Sequence, residues 1–182
     1  MAKRGGERRG TGKPRAPGPI GKAVDSLPEP KVRVTGPDRS LPPVTIRVRQ
    51  TPGMKGYQFR RKMDALRKLG EEGKLYKATN KVLRDKRITD NYRQDMIRRI
   101  HQQYGRSNPE FAERLIAKVG HRAGRGNNMQ PDHVWELQLG GPDTRSNLQF
   151  THDLTNEGIG NQIWQQIQNL PDGTPIRIEV IT

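Results

Sequence analysis

The chain has 182 residues, no cysteine, and 34 Lys and Arg against 19 Asp and Glu, a formal charge of +15. Without cysteine no disulfide or thiolate zinc site can form, and no apolar run approaches the roughly 18 residues of a membrane helix. Apolar residues make up 30%, well under the roughly 45–50% of an ordinary globular chain, so part of the chain is expected not to fold, and the charge points to a polyanionic partner, most simply nucleic acid.

Residues 1–50 hold 8 Pro and 7 Gly, no aromatic residue, and a net charge of +8. Such a composition buries too little apolar surface to offset ordering entropy, so the segment reads as a flexible basic tail. It lacks the apolar h-region of a signal peptide. Near its end Val44, Ile46 and Val48 alternate with Thr45, Arg47 and Arg49, the period of one short strand.

Residues 51–124 carry a net charge of +11 in a helical pattern. Phe59, Met63 and Leu66 recur at helical spacing up to Gly70. A second helix is expected from Thr89 or Asp90, with Met96, Ile97, Ile100 and Tyr104 on its apolar face and Gly105 at its end. A third begins with Asn108 as cap and Pro109 at its first position, and aligns Phe111, Leu115 and Val119. Each helix pairs an apolar stripe with a basic face, which suits a surface that tracks phosphates. Arg98, Arg99, Arg122, Arg125 and Arg145 are the candidate nucleic-acid contacts. His101 and His121 fall in this basic region without a partner set.

Residues 125–182 reverse the sign, to a net charge of −4. Carboxylates and amides are ligands for hard metal ions, so an acidic module behind a basic platform suits a segment that holds a cation. Val134 to Leu139 is a short apolar run that could begin or end a strand. Gly140-Gly141-Pro142-Asp143 is a strong turn signal. Leu148-Gln149-Phe150 is a second strand candidate. Ile159, Ile163, Ile167 and Leu170 then mark an amphipathic helix from Asp153, closed by Pro171. Trp135 and Trp164 read as core residues. Alternation of Ile176, Ile178 and Val180 with Arg177 and Glu179 gives a final half-buried strand.

The order is strand, loop, strand, helix. Asp132-His133 stand at the first strand, Gly140-Gly141 in the loop, Asn147-Leu148 at the second strand and Asn156 in the first turn of the helix. These residues, 14 positions from His133 to Asn147 and 9 from Asn147 to Asn156, resemble the HNH nucleases, whose core is the ββα-metal motif. The phrase Asp-His-Val-Trp-Glu-Leu-Gln-Leu-Gly-Gly resembles the HNH-type toxin domains at the C-termini of bacterial polymorphic toxins. The likeness covers residues 121–170.

The resemblance implies an α+β fold with an HNH module over residues 125–182; composition and periodicity add a basic helical subdomain over 51–124 and a disordered basic tail over 1–50. It implies a metal-dependent endonuclease that hydrolyses DNA with little sequence preference. His133 would be the general base, since an imidazole exchanges protons near neutral pH. Asn147 would hold His133 in orientation or brace the loop. Asp132 and Asn156 would hold one divalent cation, with Glu136, His152 and Asp153 as additional candidates. An Asp and Asn pair offers only oxygens, which suits Mg²⁺, with Mn²⁺ or Zn²⁺ as alternatives. The toxin likeness further implies a delivered effector acting in a target-cell cytoplasm, and an acidic immunity protein that covers the site. The rival readings are a non-catalytic basic nucleic-acid-binding protein and an RNase on the same scaffold.

Overall fold

In the computed structural model, which describes residues 33–79 and 83–181, the strand expected at the end of the tail is present. It is β1 (Val44–Arg49), and it buries Ile46 and Val48 while Thr45, Arg47 and Arg49 face outward. Its partner is β4 (Ile176–Ile181), paired in parallel with Val44 opposite Ile176 and Arg49 opposite Ile181. A parallel pair needs a long crossover, and nearly all the intervening chain supplies it.

This pairing corrects the segment boundaries. Residues from Arg33 onward belong to the compact unit, because a strand with two fully buried aliphatic side chains cannot also be a tail. Residues 1–32, the rest of the expected flexible tail, lie outside the described residues. The boundary at 124/125 likewise does not separate two bodies. Helix α1 (Gly56–Glu71), from the basic segment, packs against β4 from the acidic one.

The main core lies between this two-stranded sheet and two helices. Phe59, Met63 and Leu66 of α1 meet Ile46, Val48, Ile176 and Ile178 of the sheet. Ile159, Ile163 and Ile167 complete the core from α4 (Asp153–Ile167). Leu170, the last residue of the expected stripe, falls just past the helix and packs on the same core.

The outer edge of β1 is covered by side chains of α4. Gln166 accepts from the Arg47 N–H at 2.9 Å and donates to the Arg47 carbonyl at 2.8 Å. One turn earlier, Gln162 accepts from the Arg49 N–H at 3.0 Å and donates to its carbonyl at 2.9 Å. Each amide reproduces the two bonds that a further strand would make, so this edge offers no ready template for another chain.

A second, smaller core forms where α2 (Lys86–Tyr104) and α3 (Pro109–Val119) pack together through Ile100, Ala112, Ile116 and Val119. Asn108 caps α3 by accepting from the Phe111 N–H at 3.2 Å, with Pro109 at the first position. Helix α2 starts earlier than its apolar stripe indicates. Asp85 accepts from the Arg87 N–H and caps it, and Thr89 is buried inside the first turn.

The α2–α3 pair covers one face of an antiparallel hairpin, β2 (Met129–His133) and β3 (Leu148–His152). Here the expected first strand is displaced. Val134 to Leu139 is not a strand: its last three residues form a single 3₁₀ turn, and the strand precedes it. Asn147 holds the Trp135 backbone, and the Trp135 indole donates to the Leu139 carbonyl at 2.8 Å, which folds the segment back on itself. Gly140 then adopts φ +85°, and a Cβ there would lie 2.2 Å from the Tyr76 ring. The fold is mixed α+β. Among the described residues, no helix is long and apolar enough to cross a membrane.

Candidate active site

The hairpin sorts the predicted site residues onto two faces, since successive side chains of a strand point to opposite sides. Met129, Pro131 and His133 share one face of β2, and Gln130 and Asp132 the other. Asp132-His133, adjacent in sequence, therefore open onto different surroundings.

His133 is buried, and its Nε2 lies 2.9 Å from Oδ1 of Asp143 in the β2–β3 connection. The other oxygen of Asp143 accepts from the Asp85 N–H at 2.6 Å, at the capping residue of α2. A carboxylate only accepts hydrogen bonds, so Nε2 carries the proton and Nδ1 is left as the basic nitrogen of the neutral ring. Asp143 thus fixes both the tautomer and the tilt of the imidazole.

Asn147 immediately precedes β3 and braces the connection. Its Oδ1 accepts from the Trp135 N–H at 2.9 Å, and its Nδ2 donates to the carbonyls of Trp135 at 2.8 Å and Pro142 at 2.9 Å. Its backbone carbonyl also accepts from the Val134 N–H at 2.9 Å. Of the two roles expected for Asn147, these contacts match the loop brace.

On the opposite face Asp132 is buried in a network. Its Oδ1 accepts from the ammonium of Lys62 at 2.6 Å, and its Oδ2 from the Thr151 hydroxyl at 2.8 Å and the Gln149 amide at 3.4 Å. Lys62 also pairs with Glu136 at 2.5 Å. Burial opposes the charge on Lys62, but the Glu136 and Asp132 carboxylates outweigh it and hold the amine above its usual pKa. Asn156 does not meet Asp132 through a hydrogen bond. It donates to Gln130 Oε1 at 2.9 Å.

His152 and Asp153, the additional candidates, clasp the loop before β2. His152 Nε2 donates to the Gly126 carbonyl at 2.7 Å. Asp153 accepts from the N–H groups of Gly126 at 2.9 Å and Leu154 at 2.7 Å. Burial pushes the Asp153 carboxyl up, but these backbone donors outweigh it and hold it below the ordinary value. His152 Nδ1 is buried and makes no hydrogen bond, with Asp153 Oδ1 3.6 Å away.

The predicted arginines divide between the ends of the hairpin. Arg98 and Arg145 both pair with Asp95, and Arg145 lies over the Tyr92 ring, which stacks on Phe150. They stand by the β2–β3 connection, on the side of His133. Arg125 pairs with Glu157 at 3.1 Å, at the other end. Arg99 and Arg122 are exposed.

Among the described residues no three His, Cys, Asp or Glu side chains gather in a metal-holding group. The donor set expected for Mg²⁺ does not fit it as placed, because both Asp132 oxygens are engaged and Lys62 takes the cation position. No family model matches the chain, and no curated protein or solved structure is similar to it at a meaningful level.

Two residues of this site escape the sequence reading. Lys62 carries a signal: it falls three residues after Phe59 and four before Leu66, inside the apolar stripe of α1. A charge there is a buried charge, which requires a partner. Asp143 reads only as a turn residue, and nothing in its spacing marks it as the partner of His133.

Proposed function

We propose that the chain hydrolyses nucleic-acid phosphodiester bonds as an endonuclease of HNH type, with the hairpin β2–β3 and helix α4 as its ββα core and DNA as its substrate. The observation that carries this reading is the His133–Asp143 pair at the end of the hairpin, in a connection braced by Asn147.

The chemistry follows from the tautomer. His133 Nδ1 takes a proton from a water, and the resulting hydroxide attacks phosphorus while the P–O3′ bond breaks in line and the departing 3′ oxygen takes a proton from solvent. Asp143 stabilises the imidazolium that forms, as a carboxylate behind a catalytic histidine does elsewhere. General-base catalysis of this kind contributes roughly 100- to 10,000-fold in rate. Phosphate charge is met by the basic surface of α1, α2 and α3. No step is assigned to a metal ion, because the Asp132 side chain is committed to Lys62.

The toxin likeness extends the proposal to a delivered effector that acts in a target-cell cytoplasm, held in check in its producer by an acidic immunity protein. The net charge of +15 supports an acidic partner. The same charge also favours the second reading, a non-catalytic nucleic-acid-binding protein.

Incubation of the purified chain with supercoiled plasmid and with an RNA transcript tests the proposal. Conversion of plasmid to nicked or linear form is the expected result. Cleavage of RNA alone would move the activity to an RNase. Retardation of both substrates without cleavage would favour the binding protein.

A further inference from the structure

Lys62 has a side chain with no solvent exposure, and it lies among the apolar residues of α1. Its ammonium stands between two carboxylates, 2.6 Å from Asp132 Oδ1 and 2.5 Å from Glu136 Oε1. The second Asp132 oxygen is held by Thr151 and Gln149. A Mg²⁺ ion needs near-octahedral oxygen ligands at about 2.0–2.1 Å. It could not approach Asp132 Oδ1 without expelling the ammonium of a fully buried lysine. We propose that Lys62 is the resident cation of the Asp132–Glu136 pair, so that Asp132 is a strut between α1 and β2 and takes no divalent ion.

The assignment gives three groups one purpose. Two carboxylates facing each other in a low-dielectric interior repel, and a cation must stand between them. The chain supplies that cation from α1, 70 residues before Asp132. Because Asp132 directly precedes His133, the strut also fixes where β2 ends and so where the imidazole sits. Lys62 is thus a positioning residue.

Mn²⁺ titration of the full wild-type chain, followed by methyl NMR, tests this without any variant. Thr151 bonds Asp132 through its hydroxyl, so a paramagnetic ion on Asp132 would erase the Thr151 methyl signal. The expected result is that, at one equivalent of Mn²⁺, the Thr151 methyl loses no more intensity than the average methyl signal of the chain. Selective loss of the Thr151 signal at stoichiometric Mn²⁺ would overturn the assignment.

A second measurement uses Lys62→Met. With its ammonium gone, this variant should melt lower than wild type in EDTA and recover part of the difference in Mn²⁺, while the wild-type melting temperature does not respond to Mn²⁺. A Lys62→Met chain with wild-type stability in EDTA would overturn the assignment. The endonuclease reading fails separately: it rests on His133, and loss of cleavage activity would leave the Thr151 result unchanged.

Discussion

His133 and Asp143 face each other across the β2–β3 connection, Nε2 to Oδ1 at 2.9 Å, and this contact decides which nitrogen of the ring is basic. Asp143→Asn should keep a hydrogen bond but remove the charge that supports the imidazolium. The expected outcome is slower cleavage by a chain that remains folded. Cleavage at the wild-type rate would mean that Asp143 only braces the start of α2 through Asp85.

Asn147→Ala removes three side-chain hydrogen bonds from a tight loop and leaves backbone groups of Trp135 and Pro142 without partners. A loss of about 1–3 kcal/mol for each partly buried group left unsatisfied is the usual scale. Chemical denaturation should therefore show a clear fall in stability together with the loss of activity. Asn147→Asp keeps the acceptor toward Trp135 N–H and loses both donors, so its stability should fall between wild type and Asn147→Ala.

Gln162→Ala and Gln166→Ala each expose two backbone groups at the outer edge of β1. The bonds are solvent-accessible, so each substitution should cost only about 0.5–1.5 kcal/mol. The double variant also opens a strand edge to pairing with another chain. Sedimentation analysis is expected to show it associating at concentrations where wild type stays as it was. No change in association would mean that the edge is protected by other means.

Asp153 links stability to acid. Its carboxyl is held below the ordinary aspartate range in the folded chain, so the ionised form stabilises the fold. That contribution is fully present above the unfolded pKa and is lost as pH falls through the lower folded value. Melting temperatures should thus drop more steeply below about pH 4 in wild type than in Asp153→Asn, which lacks this titration. Parallel acid profiles would remove Asp153 from the account of acid stability.

The local elements were legible in the sequence wherever their determinants are local. The Asn108-Pro109 start of α3, the Phe59–Leu66 stripe of α1 and the alternation of β1 and β4 all read directly from residue type and spacing. The pairing of β1 with β4 was not legible, because parallel register depends on contacts between the two ends of the folded unit. Only the Asp132-His133 end of strand β2 was legible, because Met129-Gln130-Pro131 contains a proline and no β-branched residue. It forms nonetheless because the hairpin is held by the brace at Asn147 and by packing of α2 and α3. The motif positions His133, Asn147 and Asp132 were legible, but their partners were not. Lys62, Asp143 and Thr151 reach them only through tertiary structure.

In the proposed function, His133 is the proton acceptor in phosphodiester hydrolysis. The most direct test compares the rate of supercoiled plasmid cleavage by wild-type chain and His133→Ala, in Mg²⁺ and in EDTA, with both proteins shown to be folded by circular dichroism. His133→Ala is expected to be slower by about 100-fold or more in whichever condition supports cleavage. A His133→Ala chain that cuts at the wild-type rate would contradict it.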